Sequence, residues 1–114
     1  MKRVVIESPY AGDVEKNKAY ARACVLDCLA RGEAPIASHL LLTQVLDDDD
    51  PEQRAAGIAA GMAWHVVADL VVFYVDRGWS TGMLAARENC EFIAKTEIRR
   101  IYTPFRRAMH GGDV

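Results

Sequence analysis

Two short, β-branched runs constrain the fold most. Arg3-Val4-Val5-Ile6-Glu7 stops at Ser8-Pro9-Tyr10-Ala11-Gly12-Asp13, and Leu70-Val71-Val72-Phe73-Tyr74-Val75 stops at Asp76-Arg77-Gly78-Trp79-Ser80-Thr81-Gly82. A helical pattern follows each. Apolar strands that end in small, polar, turn-forming residues just before a helix are how open α/β sheets build ligand pockets.

The segments between and after these runs continue the alternation. Asp13 is placed to cap a helix in which Ala21, Cys24, Val25, Cys28 and Leu29 recur at helical spacing, ended by Arg31-Gly32. Residues 34–39 read as a second strand, with Ser38 and His39 at its end. Residues 40–46 fit strand, helix or structured loop equally by periodicity. Asp50-Pro51-Glu52-Gln53 is a helix start: a cap, proline at the first position and a polar residue three after the cap. The acidic run before it, residues 47–50, complements the helix dipole better than it fits a metal. That helix, dense in alanine and glycine, is expected to reach about residue 67. Its small side chains allow close approach of a sheet, another helix or a partner subunit. Ser80 or Thr81 caps a further helix to about residue 94, and residues 97–102 read as a last strand near an edge. Residues 1–103 are expected to form one domain and 104–114 a loose tail.

The order β-α-β-α-β-α-β predicts an α/β fold: a flavodoxin-like three-layer sandwich with a four- to five-stranded, mainly parallel sheet. In the commonest topology the second strand lies beside the first and the third on the first strand's other side. Strands 3–7 and 70–75 then flank the switch point, and their carboxyl ends open into one crevice.

Composition excludes several classes. At 114 residues the chain holds one compact domain. A net charge of −2 gives no basic field for nucleic acid. The basic cluster of Arg99, Arg100, Arg106 and Arg107 reads as a solvated face, or less readily as a phosphate contact. No apolar run approaches the length of about 18 residues needed to span a membrane. Cys24, Cys28 and Cys90 make no disulfide framework and read as packing residues, which points to a reducing, cytoplasmic setting. Ser-His-Asp order, Walker loop, dinucleotide fingerprint and paired metal spacing are all missing, so neither metal nor cofactor is expected.

The residues at the crevice define candidate roles. Gly78-Trp79-Ser80-Thr81-Gly82 precedes a helix, whose unpaired amides favour an anion or a sugar hydroxyl; a capping role alone is the alternative. Ser8 and Tyr10 leave the first strand toward the same place, where Tyr10 either stacks on a base or covers the core. Asn17 faces the crevice or solvent. Asp76 lies at the crevice end of its strand, and Trp79 beside it is a candidate platform or lid. Asp69 precedes its strand, at the end opposite the crevice, and there either caps the strand's entry or pairs with an arginine. His39 is either a hydrogen-bonded structural group or an acid–base group. His65, next to Trp64, reads as packing.

At these positions the chain resembles the nucleoside 2-deoxyribosyltransferase-like superfamily, and more closely a small phage and bacterial branch of it. The pieces are Ile6-Glu7-Ser8-Pro9-Tyr10-Ala11-Gly12 with Asn17, Pro35-Ile36-Ala37-Ser38-His39-Leu40, Arg54-x2-Gly57-Ile58, Ala68-Asp69-Leu70-Val71-Val72 and Gly78-Trp79-Ser80-Thr81-Gly82-Met83. The resemblance implies a pocket for a nucleoside or nucleotide, made of Ser8, Pro9, Gly12, Asn17, His39, Asp76, Trp79, Ser80, Thr81 and Gly82. It also implies cleavage or exchange of an N-glycosidic bond by a helix glutamate, supported by Tyr10 and Asp69. The glutamate departs from the pattern. Its usual place, four residues after Gly82, is Ala86; Arg87 follows, and Glu88 lies two residues on, about 200° around the helix. Either the helix starts later, or Glu88 substitutes, or the carboxylate is missing and Arg87 meets a phosphate. Two functions follow: an enzyme acting through Tyr10, Asp69 and Glu88, or a binding protein that sequesters a nucleotide-derived signal, for example a phage protein blunting host defence. Related enzymes are oligomers, so a homo-oligomer with the 51–67 helix at its contact is expected.

Overall fold

The computed structural model describes residues 1–101. The expected tail, with Arg106 and Arg107, lies outside the described residues. Strands β1 (Arg3–Glu7), β2 (Ala34–Ile36), β3 (Leu70–Tyr74) and β4 (Thr96–Arg99) form one sheet in the order β2-β1-β3-β4. Every neighbouring pair is parallel. Helices α1 (Val14–Ala30), α2 (Ser38–Leu41), α3 (Pro51–Ala63) and α4 (Thr81–Cys90) supply the connections. This is the flavodoxin-like α/β arrangement, with β1 and β3 side by side at its centre.

Strand alternation builds the two core layers. Val4 and Ile6 of β1, with Leu70, Val72 and Tyr74 of β3, pack against Cys24 and Cys28 of α1. Val5, Val71, Phe73 and Val75 face the other way, onto Met83, Ala86 and Cys90 of α4. β3 is buried along its whole length, which suits the innermost strand of a parallel sheet. Each of these fully buried apolar side chains contributes about 1.5–3 kcal/mol over leaving it exposed.

Local chemistry sets the helix starts. Asp13 accepts from the Lys16 amide at 3.3 Å, and Asp50 from the Glu52 amide at 3.1 Å, with Pro51 in the first turn of α3. The acidic run before α3 is occupied by these local bonds: Asp47 accepts from the Asp49 amide, Asp48 from Arg54, and Asp50 also from Gln53.

Several boundaries differ from expectation. β2 stops at Ile36, and Ser38–Leu41 is a helical turn continued by a 3₁₀ turn over Leu42–Gln44. Side-chain bonds fix that turn: the Thr43 hydroxyl donates to the His39 carbonyl at 2.6 Å, and the Gln44 amide to the Leu40 carbonyl at 3.2 Å. α3 ends at Ala63 in a 3₁₀ turn over Trp64–Val66, and α4 ends at Cys90. Arg99 is not part of a solvated basic face. It is 7% exposed and forks onto both Glu33 oxygens at 2.6 and 2.7 Å, with Glu97 beside it. Tyr74 donates to the buried Asp27 at 2.7 Å on the same face of the sheet. No helix among the described residues is long and apolar enough to cross a membrane.

Candidate functional site

The parallel sheet delivers the ends of β1 and β3 to one side of the molecule. The chain leaves β1 through Ser8 and Tyr10 and leaves β3 toward Ser80–Gly82, and both turns line one cavity of about 190 Å³. β2, on the other flank of β1, leads into α2, so Ser38 and His39 line the same cavity. Leu42, Leu46, Ile58 and Met62 give it an apolar wall.

α3 closes over this cavity because two of its positions lack side chains. A Cβ at Gly57 would stand 3.1 Å from Leu46 Cδ1, and one at Gly61 would stand 2.8 Å from Ser38 Oγ. The close approach anticipated for this helix is therefore made within the chain, to α2 and to the segment after it.

Three polar groups mark the cavity. The first is the α4 N-terminus. Ser80 Oγ accepts from the Met83 amide at 3.1 Å. The Thr81 and Gly82 amides have no acceptor among the described residues and line the cavity. The second is a Ser8–His39 pair, with Ser8 Oγ 2.7 Å from His39 Nε2. Burial holds His39 below the usual imidazole value, against a smaller upward pull from Glu7. The ring is thus neutral near pH 7, and its Nδ1 is buried without a partner among the described residues.

The third is Glu7, a residue that sequence reasoning passed over. Its Oε1 accepts from Nε2 of His65 at 2.7 Å, and His65 is fully buried. The Asn89 amide nitrogen sits 3.0 Å from His65 Nδ1. With the Asn89 amide donating to Nδ1, the Nε2–H is the donor to the Glu7 carboxylate. His65 is therefore a hydrogen-bonded relay between Glu7 and α4, rather than packing alone. No local signal links Glu7 to His65 and Asn89, which are 58 and 82 positions away in the chain. Asp48 and Arg54 complete the charged lining, paired at 2.9 Å.

The cavity brings together six of the expected residues: Ser8, Tyr10, His39, Ser80, Thr81 and Gly82. The others have different places. Pro9 is buried behind the turn, and Gly12 is an exposed turn residue with φ 98°. Asn17 faces neither crevice nor solvent. It is buried, donates to the Tyr10 and Ala11 carbonyls at 3.0 Å each, and accepts from Arg77 at 2.9 Å. Asp76 is taken by the Tyr20 hydroxyl at 2.5 Å and the Ile101 amide at 3.0 Å. Trp79 packs on Phe73, with ring centroids 5.3 Å apart, and carries the Arg87 guanidinium 5.1 Å above its ring. Neither Trp79 nor Arg87 lines the cavity.

The two carboxylates implied by the resemblance are not at this site. Asp69 precedes β3 and clamps Arg3 through its amide at 2.8 Å and its guanidinium at 3.2 and 3.3 Å. A five-residue strand at about 3.3 Å per residue keeps it roughly 16 Å from the cavity end. Hydrogen bonds from Arg3 pull Asp69 down to about 2. Glu88 is exposed and outside the cavity, whereas Ala86 is buried and lines it. α4 begins at Thr81, so a later helix start does not bring Glu88 inward.

No curated protein and no solved structure matches this chain. A family of domains described as of unknown function, DUF7768, matches residues 2–101. That span takes in all four strands and every element that lines the cavity, and the chain belongs to the DUF7768 family.

Proposed function

We propose that this protein binds a nucleoside, a nucleotide or a nucleotide-derived small molecule in the cavity between the carboxyl ends of β1 and β3. One observation carries the reading. A single cavity joins free helix-start amides, a neutral Ser8–His39 pair, a carboxylate and an apolar wall. The amides suit an anion, the Ser8–His39 pair and the carboxylate suit hydroxyls, and the apolar wall suits a flat base. At about 190 Å³ the cavity is smaller than the roughly 300–1,000 Å³ of common small-molecule pockets, so it encloses part of one small ligand and not a polymer.

Binding without turnover is the favoured form, because Ala86 occupies the place where the resemblance calls for a glutamate and Asp69 serves the other end of the sheet. A specific observation keeps N-glycosidic cleavage as the second reading: Glu7 puts one carboxylate into the cavity. A panel of nucleosides, nucleotides and cyclic or ADP-ribose-type nucleotides, incubated with the protein and analysed by mass spectrometry, separates them. Intact ligand released from heat-denatured protein supports sequestration. Free base, lost in Glu7→Gln, supports cleavage. No retained ligand and no free base from any member of the panel overturns both.

A homo-oligomer belongs to the same proposal. Its support is the turn after α3, where Trp64, Val66 and Val67 are 47–64% exposed beside the alanines of the helix. Light scattering after gel filtration should give a mass above the 12.6 kDa of one chain. A clean monomer at tens of micromolar overturns this part.

A further inference from the structure

The order of the strands fixes where each polar group stands along the cavity floor. β1 lies between β2 and β3. β2 leads to α2 and the apolar wall; β3 leads to the α4 amides. Glu7, the last residue of β1, therefore sits between the apolar side and the anion-favouring side, with Ser8 next to it.

Its carboxylate is held and only half used. Oε1 is engaged by His65, itself fixed by Asn89. Oε2 has no partner among the described residues. The side chain is 15% exposed and lines the cavity, and among the described residues Oε2 is not one of the buried side-chain atoms left unpaired, so it is open to the cavity. An acceptor-only group fixed at this point calls for a donor on the ligand.

Resting on the nucleotide-binding reading above, we infer that Glu7 is the specificity residue for the sugar: it accepts hydroxyl protons of a ribose whose base lies toward Leu42, Leu46, Ile58 and Met62 and whose phosphate lies toward Thr81 and Gly82. A site built to accept from a hydroxyl rejects the analogue that lacks it, because the fixed carboxylate is left unpaired. His65 and Asn89 act through Glu7 as positioning residues. The cavity selects ribonucleotides, and a sugar stripped of its hydroxyls is a poor ligand.

The test is calorimetric titration of the full chain with the four ribonucleoside 5′-monophosphates and their 2′,3′-dideoxy counterparts. The best-bound ribonucleotide is expected to exceed its dideoxy counterpart by about tenfold or more, the size of one charge-assisted hydrogen bond. In Glu7→Gln, whose fold is checked by thermal melting, that ratio should fall to about threefold or less, mainly through weaker ribonucleotide binding. Equal binding of the two sugars in the wild-type protein, which needs no variant, overturns the role of Glu7 and leaves nucleotide binding standing. A ratio unchanged in Glu7→Gln overturns it as well. Binding of none of the eight probes overturns this inference, and the reading it rests on is overturned only when the wider panel above also goes unbound and uncleaved.

Discussion

Gly61 shows how one missing side chain shapes the site. It lets α3 cross Ser38 at a distance that a Cβ would reduce to 2.8 Å from the hydroxyl. Gly61→Val should therefore destabilise the protein by about 1–3 kcal/mol, measured by urea denaturation. The cysteines make a second residue-scale prediction. Burial pushes Cys28 and Cys90 up to about 11 and Cys24 higher still, so none presents a thiolate at neutral pH. The native protein should resist a thiol reagent at pH 7 and take up three equivalents once denatured. At this scale the sequence was legible where a residue acts locally, as with Asp50 at its cap. It was opaque where the partner is remote. The positions of Asn17 and Asp76 mark them as polar groups near the crevice, but their partners Arg77 and Tyr20 come from distant parts of the chain.

Among the elements, α3 depends on its start. The Asp50 side chain satisfies the Glu52 amide and braces Gln53, so Asp50→Ala should cost about 1 kcal/mol, read as a lowered urea midpoint. Strands and long helices were readable because strand alternation and helical spacing leave different marks. Residues 37–46 were not. There a run of leucines carries no period, and the bonds of Thr43 and Gln44 back to the preceding turn decide the outcome. His39 was expected at a strand end. The helical turn instead places its ring against Ser8, which is how it reaches the cavity.

For the whole molecule, the Glu33–Arg99 fork ties the end of α1 to the edge strand β4. Glu33→Gln leaves a 6% exposed guanidinium side chain without its full partner, and should cost about 3 kcal/mol or more. Hydrogen bonds from Arg99 hold Glu33 below its ordinary carboxylate value, and Arg3 does the same for Asp69. Folded values below unfolded ones stabilise the fold fully above about pH 4.5, and that contribution is lost as pH falls through the folded values. Urea midpoints should fall between pH 5 and 2, less steeply in Glu33→Gln. The parallel topology was the most legible feature, since strand and helix alternation leaves few arrangements. The role of Glu7 in the cavity was the least, because it gains its meaning only when His65 folds against it. The Arg3–Asp69 clamp has a practical corollary. The amino terminus departs from the end of the sheet remote from the hollow, so a protein tethered to a sensor chip ahead of Met1 would present its binding mouth to the flowing solution.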